Sequence, residues 1–338
     1  MFNNSTLADF TVMFTFGISL TWILTIITIL GNTLVIYSFF RDKSIRSKPA
    51  NVFIFVLAVA DFIVGIISLP FYNILVLYDS WMFGEIVCKC MLFCDYSACA
   101  ISSCCIVLLS LDRYWMVTKH LLYKHFMTHC KARVLSAVVV IFCITFYGTT
   151  IFFWELISTN PLQDDSNCSL PVGEPFNTVM CSTVYAVTMF VLTYLNITVF
   201  VAVVNWSNGN SLKRDINKQK SKTSNSILSE NTTSPSTISV KPADSNLAIR
   251  RFRAQNNQET KKAAMMLGVL VVAFLICWTP FNIVHICINI GVFQVNSFTW
   301  DVVNYMLWFN SGLNPILYAL TNRQFRKNFV DMFLCRQC

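Results

Sequence analysis

The sequence predicts an all-α membrane protein: a seven-transmembrane helix bundle with a short amphipathic eighth helix. Three observations carry this. Hydrophobic residues make up 55% of the chain and charged residues 12%, with mean hydropathy +0.57, whereas a soluble domain carries about 25% charge. Seven apolar runs are long enough to cross a ~30 Å hydrocarbon core, which takes roughly 20 helical residues. Lys and Arg fall in alternate connections between them, the asymmetry that orients such bundles.

The runs lie near 12–40, 50–76, 86–112, 132–156, 176–204, 262–290 and 299–320. Basic residues cluster at Arg41, Lys43, Arg46 and Lys48, at Lys119, Lys124, Lys131 and Arg133, from Lys213 to Lys262, and at Arg323, Arg326, Lys327 and Arg336. The opposite connections carry Asp9, Asp79, Glu85, Glu155, Asp164, Asp165, Glu174 and Asp301, with Lys89 as their only basic residue. Positive loops stay cytoplasmic. The expectation is therefore a multi-pass plasma-membrane protein with residues 1–11 as an extracellular N-terminus, a bundle over 12–320 and a cytoplasmic C-terminus.

The first span is expected to serve as its own insertion signal, without a cleaved leader. Two overlapping sequons place candidate glycosylation at Asn3 and Asn4. The net charge of +8 is accounted for by loops facing anionic lipid and calls for no nucleic-acid partner. Residues 206–260, rich in Ser, Asn, Thr and Lys, cannot bury enough apolar surface to fold and read as a disordered third cytoplasmic loop. Residues 321–338 read as an amphipathic helix on the lipid surface with palmitoylated Cys335 and Cys338. Of 14 cysteines most lie within spans, as small buried thiols. Cys88 and Cys168 lie on the oxidising face, where a bridge between them is expected; Cys90 is the competing partner.

The third span holds the main candidate site. Asp95 and Arg113 are 18 residues apart, five helical turns, so they share one face roughly 27 Å apart. Cys99 and Ser102 continue that face, which lipid would not tolerate. A carboxylate at Asp95 can stay protonated, pair with a protein cation, or receive a cationic ligand. Lys89 is the only Lys or Arg in the outer half of any span, and the third reading is favoured over a structural acid paired to it. Trp278, Phe281, Asn282 and His285 share one face of the sixth span, with Pro280 among them. Aromatic walls with a few polar groups suit a ligand pocket. Tyr96, Asn304, Tyr305 and Trp308 could complete a cage for an ammonium group by cation–π contact. Deeper in the core, Asp61, Ser102, Asn310, Ser311 and Asn314 could surround a sodium ion or form a hydrogen-bond cluster between helices.

Together these residues resemble the rhodopsin-like (class A) G-protein-coupled receptors over nearly the whole chain. The matching pieces are Gly31-Asn32, "LAVAD" ending at Asp61, Cys88, "DRY" at 112–114, "CWTPF" at 277–281 and "NPILY" at 314–318. Each motif is short, but six in order on their proper spans are specific. The resemblance implies that Asp95 holds the ammonium of a small amine ligand. Tyr96 and "LWFNS" at 307–311 look like histamine receptors, chiefly types 3 and 4, while Asn282 looks like muscarinic receptors. It further implies a heterotrimeric G-protein partner, of the inhibitory type, and a switch of Asp112, Arg113, Tyr114, Tyr194 and Tyr318. No cofactor beyond an allosteric sodium ion is expected.

Three departures stand out. The fourth span lacks the family's usual Trp and the fifth its usual Pro. Aligning Tyr194 with the family's inner tyrosine turns Thr178 and Ser182 toward the pocket, whereas aligning Phe190 there changes those assignments. The acid that usually clasps Arg113 from the sixth span is replaced by Thr260, beside Glu259, so some ligand-independent activity is expected. A transporter or channel would show repeats and paired broken helices, which the sequence lacks. An intramembrane enzyme would need a nucleophile or metal spacing, also lacking. A non-signalling decoy receptor is the remaining alternative.

Overall fold

A computed structural model of the chain describes residues 4–118, 123, 127–154, 168–170, 174–227 and 243–334. Among them every regular element is helical, as hydrocarbon demands of a chain that must satisfy its backbone polar groups internally. In order these are α1 (Asn4–Arg41), the short α2 (Lys43–Arg46), and α3 (Ala50–Ile63), which continues through a π-helical turn at Val64–Ser68 into α4 (Leu69–Tyr78). There follow α5 (Gly84–Thr118), α6 (His129–Phe152), α7 (Glu174–Ile227), α8 (Ala243–Asn289), α9 (Ser297–Thr321) and α10 (Arg323–Phe333).

Six spans are apolar and long enough to cross a membrane: Thr15–Arg41, Ala50–Tyr78, Gly84–Thr118, His129–Phe152, Phe176–Asn205 and Leu267–Asn289. The seventh, α9, has 25 residues and carries Asp301, Asn304, Asn310 and Asn314. The fold is a seven-transmembrane bundle with a helix at its C-terminal side. Its α5 packs against α3, α6, α7 and α8 and forms the axis of the molecule. Side chains at one end are mainly acidic and at the other mainly basic, and these names are used for the two ends below.

Small residues set the closest approaches, as is usual where van der Waals packing drives helix association in lipid. A Cβ added at Gly31 would lie 2.9 Å from the Pro315 ring, so α1 and α9 meet backbone to ring. Asn32 reinforces this seam by donating to the Thr28 and Ser311 carbonyls at 2.9 and 3.1 Å. At the acidic end Cys88 is bonded to Cys168, with Cα atoms 5.6 Å apart, and Cys90 is free and exposed. At the basic end α10 is tied to α2 and its neighbours. Gln324 donates to Ser44 Oγ at 2.7 Å, Lys48 to Gln324 at 3.1 Å and Asn328 to Asp42 at 3.2 Å. Asn322 starts α10 by accepting from the Gln324 N–H at 3.0 Å, the usual N-cap bond.

Two expected boundaries are corrected. Helix α1 begins at Asn4 rather than near 12, and the stretch 206–260 is helical over its two ends, as α7 runs on to Ile227 and α8 begins at Ala243. The reason is common to both. Once an apolar span has paid for nucleation, each added residue gains a backbone bond, and neither extension holds a proline to stop it. Residues 228–242 lie outside the described residues, as do Asn3, Cys335 and Cys338; of Asn4 only the backbone is described.

Candidate functional site

Asp95 lies one-third of the way along α5, half-buried among α4, α9 and its own helix. Its Oδ1 accepts from the Trp308 indole at 2.8 Å and, weakly, from the Cys99 thiol at 3.9 Å. Buried Ser68, at the π turn, lies against the same carboxylate. Its Oγ completes no hydrogen bond. Among the described residues no Lys or Arg reaches Asp95. Lys89, the one candidate, pairs instead with Glu85 at 2.5 Å, a turn nearer the acidic end.

The aromatic residues beside this acid come from α4 and α9. Trp308, 5% exposed, has Tyr72 at 4.7 Å and Tyr305 at 5.9 Å between ring centroids. Both tyrosines are anchored by their hydroxyls: Tyr72 donates to Asp301 at 2.8 Å and Tyr305 to Asn73 at 2.7 Å. On α8, Phe281 packs on His285 at 5.4 Å, and each ring lies 5.8 Å from Trp300 of α9. Trp278 stacks on Phe274 at 5.1 Å. Three buried polar atoms here have no hydrogen-bond partner: Trp278 Nε1, Asn282 Oδ1 and Ser182 Oγ. Thr178 is buried on α7. Asn304 turns its amide back onto the Trp300 carbonyl at 2.8 Å.

Tyr96 needs correcting. One residue past Asp95 on a helix is about 100° around the axis, and Tyr96 accordingly packs on Tyr147 of α6, with ring centroids 5.8 Å apart, rather than on the Trp308 group.

The deeper layer forms around Asp61, which is fully buried. Ser102 and Ser311 donate to its Oδ1 at 3.1 and 2.8 Å, and Asn314 to its Oδ2 at 2.7 Å. Asn310 is buried nearby on α9 but makes no bond to this carboxylate, and its Oδ1 has no partner.

At the basic end Asp112 is fully buried. Its Oδ1 accepts from Tyr123 at 2.7 Å, and its Oδ2 stands 3.7 Å from Arg113 Nε. The guanidinium also rests on Met116 Sδ at 3.5 Å. Tyr114 is half-buried beside it. Tyr318, on α9, is fully buried, stacks on Phe325 of α10 at 5.8 Å and leaves its hydroxyl without a partner.

Residues 31–318 match the 7 transmembrane receptor (rhodopsin family) pattern. The chain belongs to that family. An octopamine receptor beta-2R of Chilo suppressalis is 29% identical over 97% of this chain and 82% of its own length. The 5-hydroxytryptamine receptor 1E of Cavia porcellus is 25% identical over 93% of the chain and 91% of its length, and the galanin receptor 2b of Danio rerio is 27% identical over 90% and 71%. None of these three relatives is a histamine receptor by name. The protein is a receptor and not an enzyme.

In this receptor the largest correction falls on Tyr194. It is 60% exposed on the outer surface of the bundle, while Leu192, Leu195 and Val199 are buried. Two residues from Leu192 is about 200° around the helix, so Tyr194 cannot face α5. Asn196 takes the inward place, donating to the Leu192 carbonyl at 2.8 Å and to Ser110 Oγ at 3.5 Å. Reading the sequence alone also missed Tyr72, Asn73, Tyr147, Tyr123 and Trp300. Tyr72-Asn73, a polar pair inside the apolar run "LPFYNILVLY", was the readable signal; Tyr123 lies in a connection where periodicity says nothing.

Proposed function

We propose that this receptor sits in the plasma membrane with its acidic end outside, binds a small protonated amine at Asp95 and activates a heterotrimeric G protein at its basic end. The observation that carries the reading is Asp95: a carboxylate beside the Trp308 and Tyr72 rings, with an indole and a thiol as donors and, among the described residues, no Lys or Arg beside it. A charge so placed is costly unless a partner arrives, and an ammonium flanked by Trp308 and Tyr72 gains both the ion pair and cation–π attraction. The names of two relatives, an octopamine and a 5-hydroxytryptamine receptor, support an amine; the galanin receptor does not, so the family alone does not decide the ligand.

Binding shifts the resting balance only by its differential affinity for the two forms of the bundle. An amine that holds α5 and α9 together through Asp95 and Trp308 biases the helices whose other ends carry Arg113 and Tyr318. Release of Arg113 from Asp112 then exposes a cation to the G protein, of the inhibitory type on the resemblance to histamine receptors. The donor set at Asp61 fits a sodium ion: one carboxylate with the hydroxyl and amide oxygens of Ser102, Ser311 and Asn314, hard ligands carrying a single charge. Such an ion would hold the α3, α5 and α9 seam together.

One observation favours a second reading, a non-signalling amine receptor: Tyr194 faces outward, away from Arg113. G-protein activation by histamine, octopamine and serotonin at saturating concentration, in cells expressing the chain, separates the two. Activation by at least one amine is expected. Binding of an amine without activation would establish the decoy reading, and a response to galanin peptide alone would overturn both.

A further inference from the structure

Asp301 lies on α9, seven residues before Trp308, or about 10 Å along the axis toward the acidic end. It is half-buried and accepts from the Tyr72 hydroxyl at 2.8 Å. The Tyr72 ring in turn packs on Trp308 at 4.7 Å, and Trp308 donates to Asp95 at 2.8 Å. The two carboxylates therefore stand at opposite ends of one aromatic wall. Neither has a Lys or Arg partner among the described residues. The charge acting on Asp301 is that of another acid, Asp79, and Lys89 is bridged to Glu85.

A second observation points the same way. Asn282, 2% exposed, commits its Nδ2 to the Trp278 carbonyl at 3.0 Å and leaves Oδ1 without a partner. One turn along, on the same face of α8, His285 packs on Trp300, the residue next to Asp301. The bundle thus holds an orphaned acceptor on α8 as well as two carboxylates without a Lys or Arg among the described residues, and a buried acceptor left open is costly. A ligand with one ammonium answers Asp95 alone.

We propose that Asp301 forms a second cation subsite, so that the receptor prefers a dicationic aliphatic amine, one ammonium on Asp95 and the other on Asp301, with its methylenes laid along Tyr72 and Trp308. This rests on the amine reading of Asp95 given above. The spacing of the two acids selects chain length, and a short diamine cannot reach both.

The test is ligand-induced thermal stabilisation of the purified full-length receptor, titrated with octylamine, putrescine, diaminooctane and diaminododecane, on the wild type and on Asp301→Asn, Tyr72→Phe and Asp95→Asn. Expected is an apparent affinity for diaminooctane at least about tenfold above that for octylamine, the scale of one added charge contact. Asp301→Asn abolishes that margin and leaves octylamine within about twofold. Tyr72→Phe, which leaves Asp301 charged, keeps the margin. An absent margin in the wild type overturns the subsite, as does equal weakening of both amines by Asp301→Asn, which would make Asp301 only a holder of Tyr72. Octylamine binding that survives Asp95→Asn would instead sink the amine reading itself.

Discussion

Asp61, fully buried, and Asp95, half-buried, lie on neighbouring helices and meet different fates, and the difference is in their partners. Asp61 accepts from three side chains of two helices, so its cost of burial is largely met within the protein. Asp95 accepts only the Trp308 indole at 2.8 Å and a distant thiol. The indole orients the carboxylate, and on the proposed function its face meets the bound cation. Trp308→Phe is therefore expected to weaken amine binding by about 1.5 kcal/mol or more, the worth of one hydrogen bond to a charged group, or at least roughly tenfold in Kd. Ligand titration of the purified variant checks this, and unchanged affinity would detach Trp308 from the site. The turning of Asp95 into the bundle, where it meets Trp308 of α9, was legible in the sequence, because a lone acid in an apolar run has few permitted surroundings. The turning of Tyr96 toward Tyr147 was not, since sequence adjacency says nothing about which helix lies 100° away.

The helices show where a pattern of apolar residues informs and where it does not. Span positions followed from composition, because lipid enforces them. The ends of α1 and α7 did not, since extending a helix into water costs little and leaves no hydropathy mark. The phase of α7 was lost for another reason: without a proline to fix the register, Tyr194 was assigned inward when Asn196 holds that place. Close packing is the more testable property. Gly31→Ala would set a methyl 2.9 Å from the rigid Pro315 ring, and overpacking of this kind costs about 1–3 kcal/mol. Lowered melting temperature of the detergent-solubilised variant, with unchanged ligand selectivity, is expected; a wild-type melting temperature would show that the α1 and α9 seam can yield. In the connection after α5, Tyr123 holds Asp112 at 2.7 Å while Arg113 stands 3.7 Å off. Wild-type receptor is expected to signal weakly without ligand, above untransfected cells, and Tyr123→Phe more strongly. Equal signalling of all three would remove the restraint assigned to this cluster.

At the scale of the molecule, α5 joins the two ends: Asp95 near one, Asp112 and Arg113 at the other, with the Asp61 layer between. A cation seated at Asp95 and Trp308 acts on α5 and α9 together. The same helices carry Arg113 and Tyr318, whose buried hydroxyl is open to a new partner. On the proposed function, coupling between the ends runs through these two helices, and the ligand supplies preference for one of two arrangements. Everything in this chain of effects begins with a negative charge that the protein leaves for a ligand to match. The direct measurement is the affinity of an activating amine for wild type and for Asp95→Asn at matched surface expression. A loss of at least roughly 2 kcal/mol, about thirtyfold in Kd, is expected for breaking a desolvated charge pair; an affinity unchanged in the variant would contradict the account.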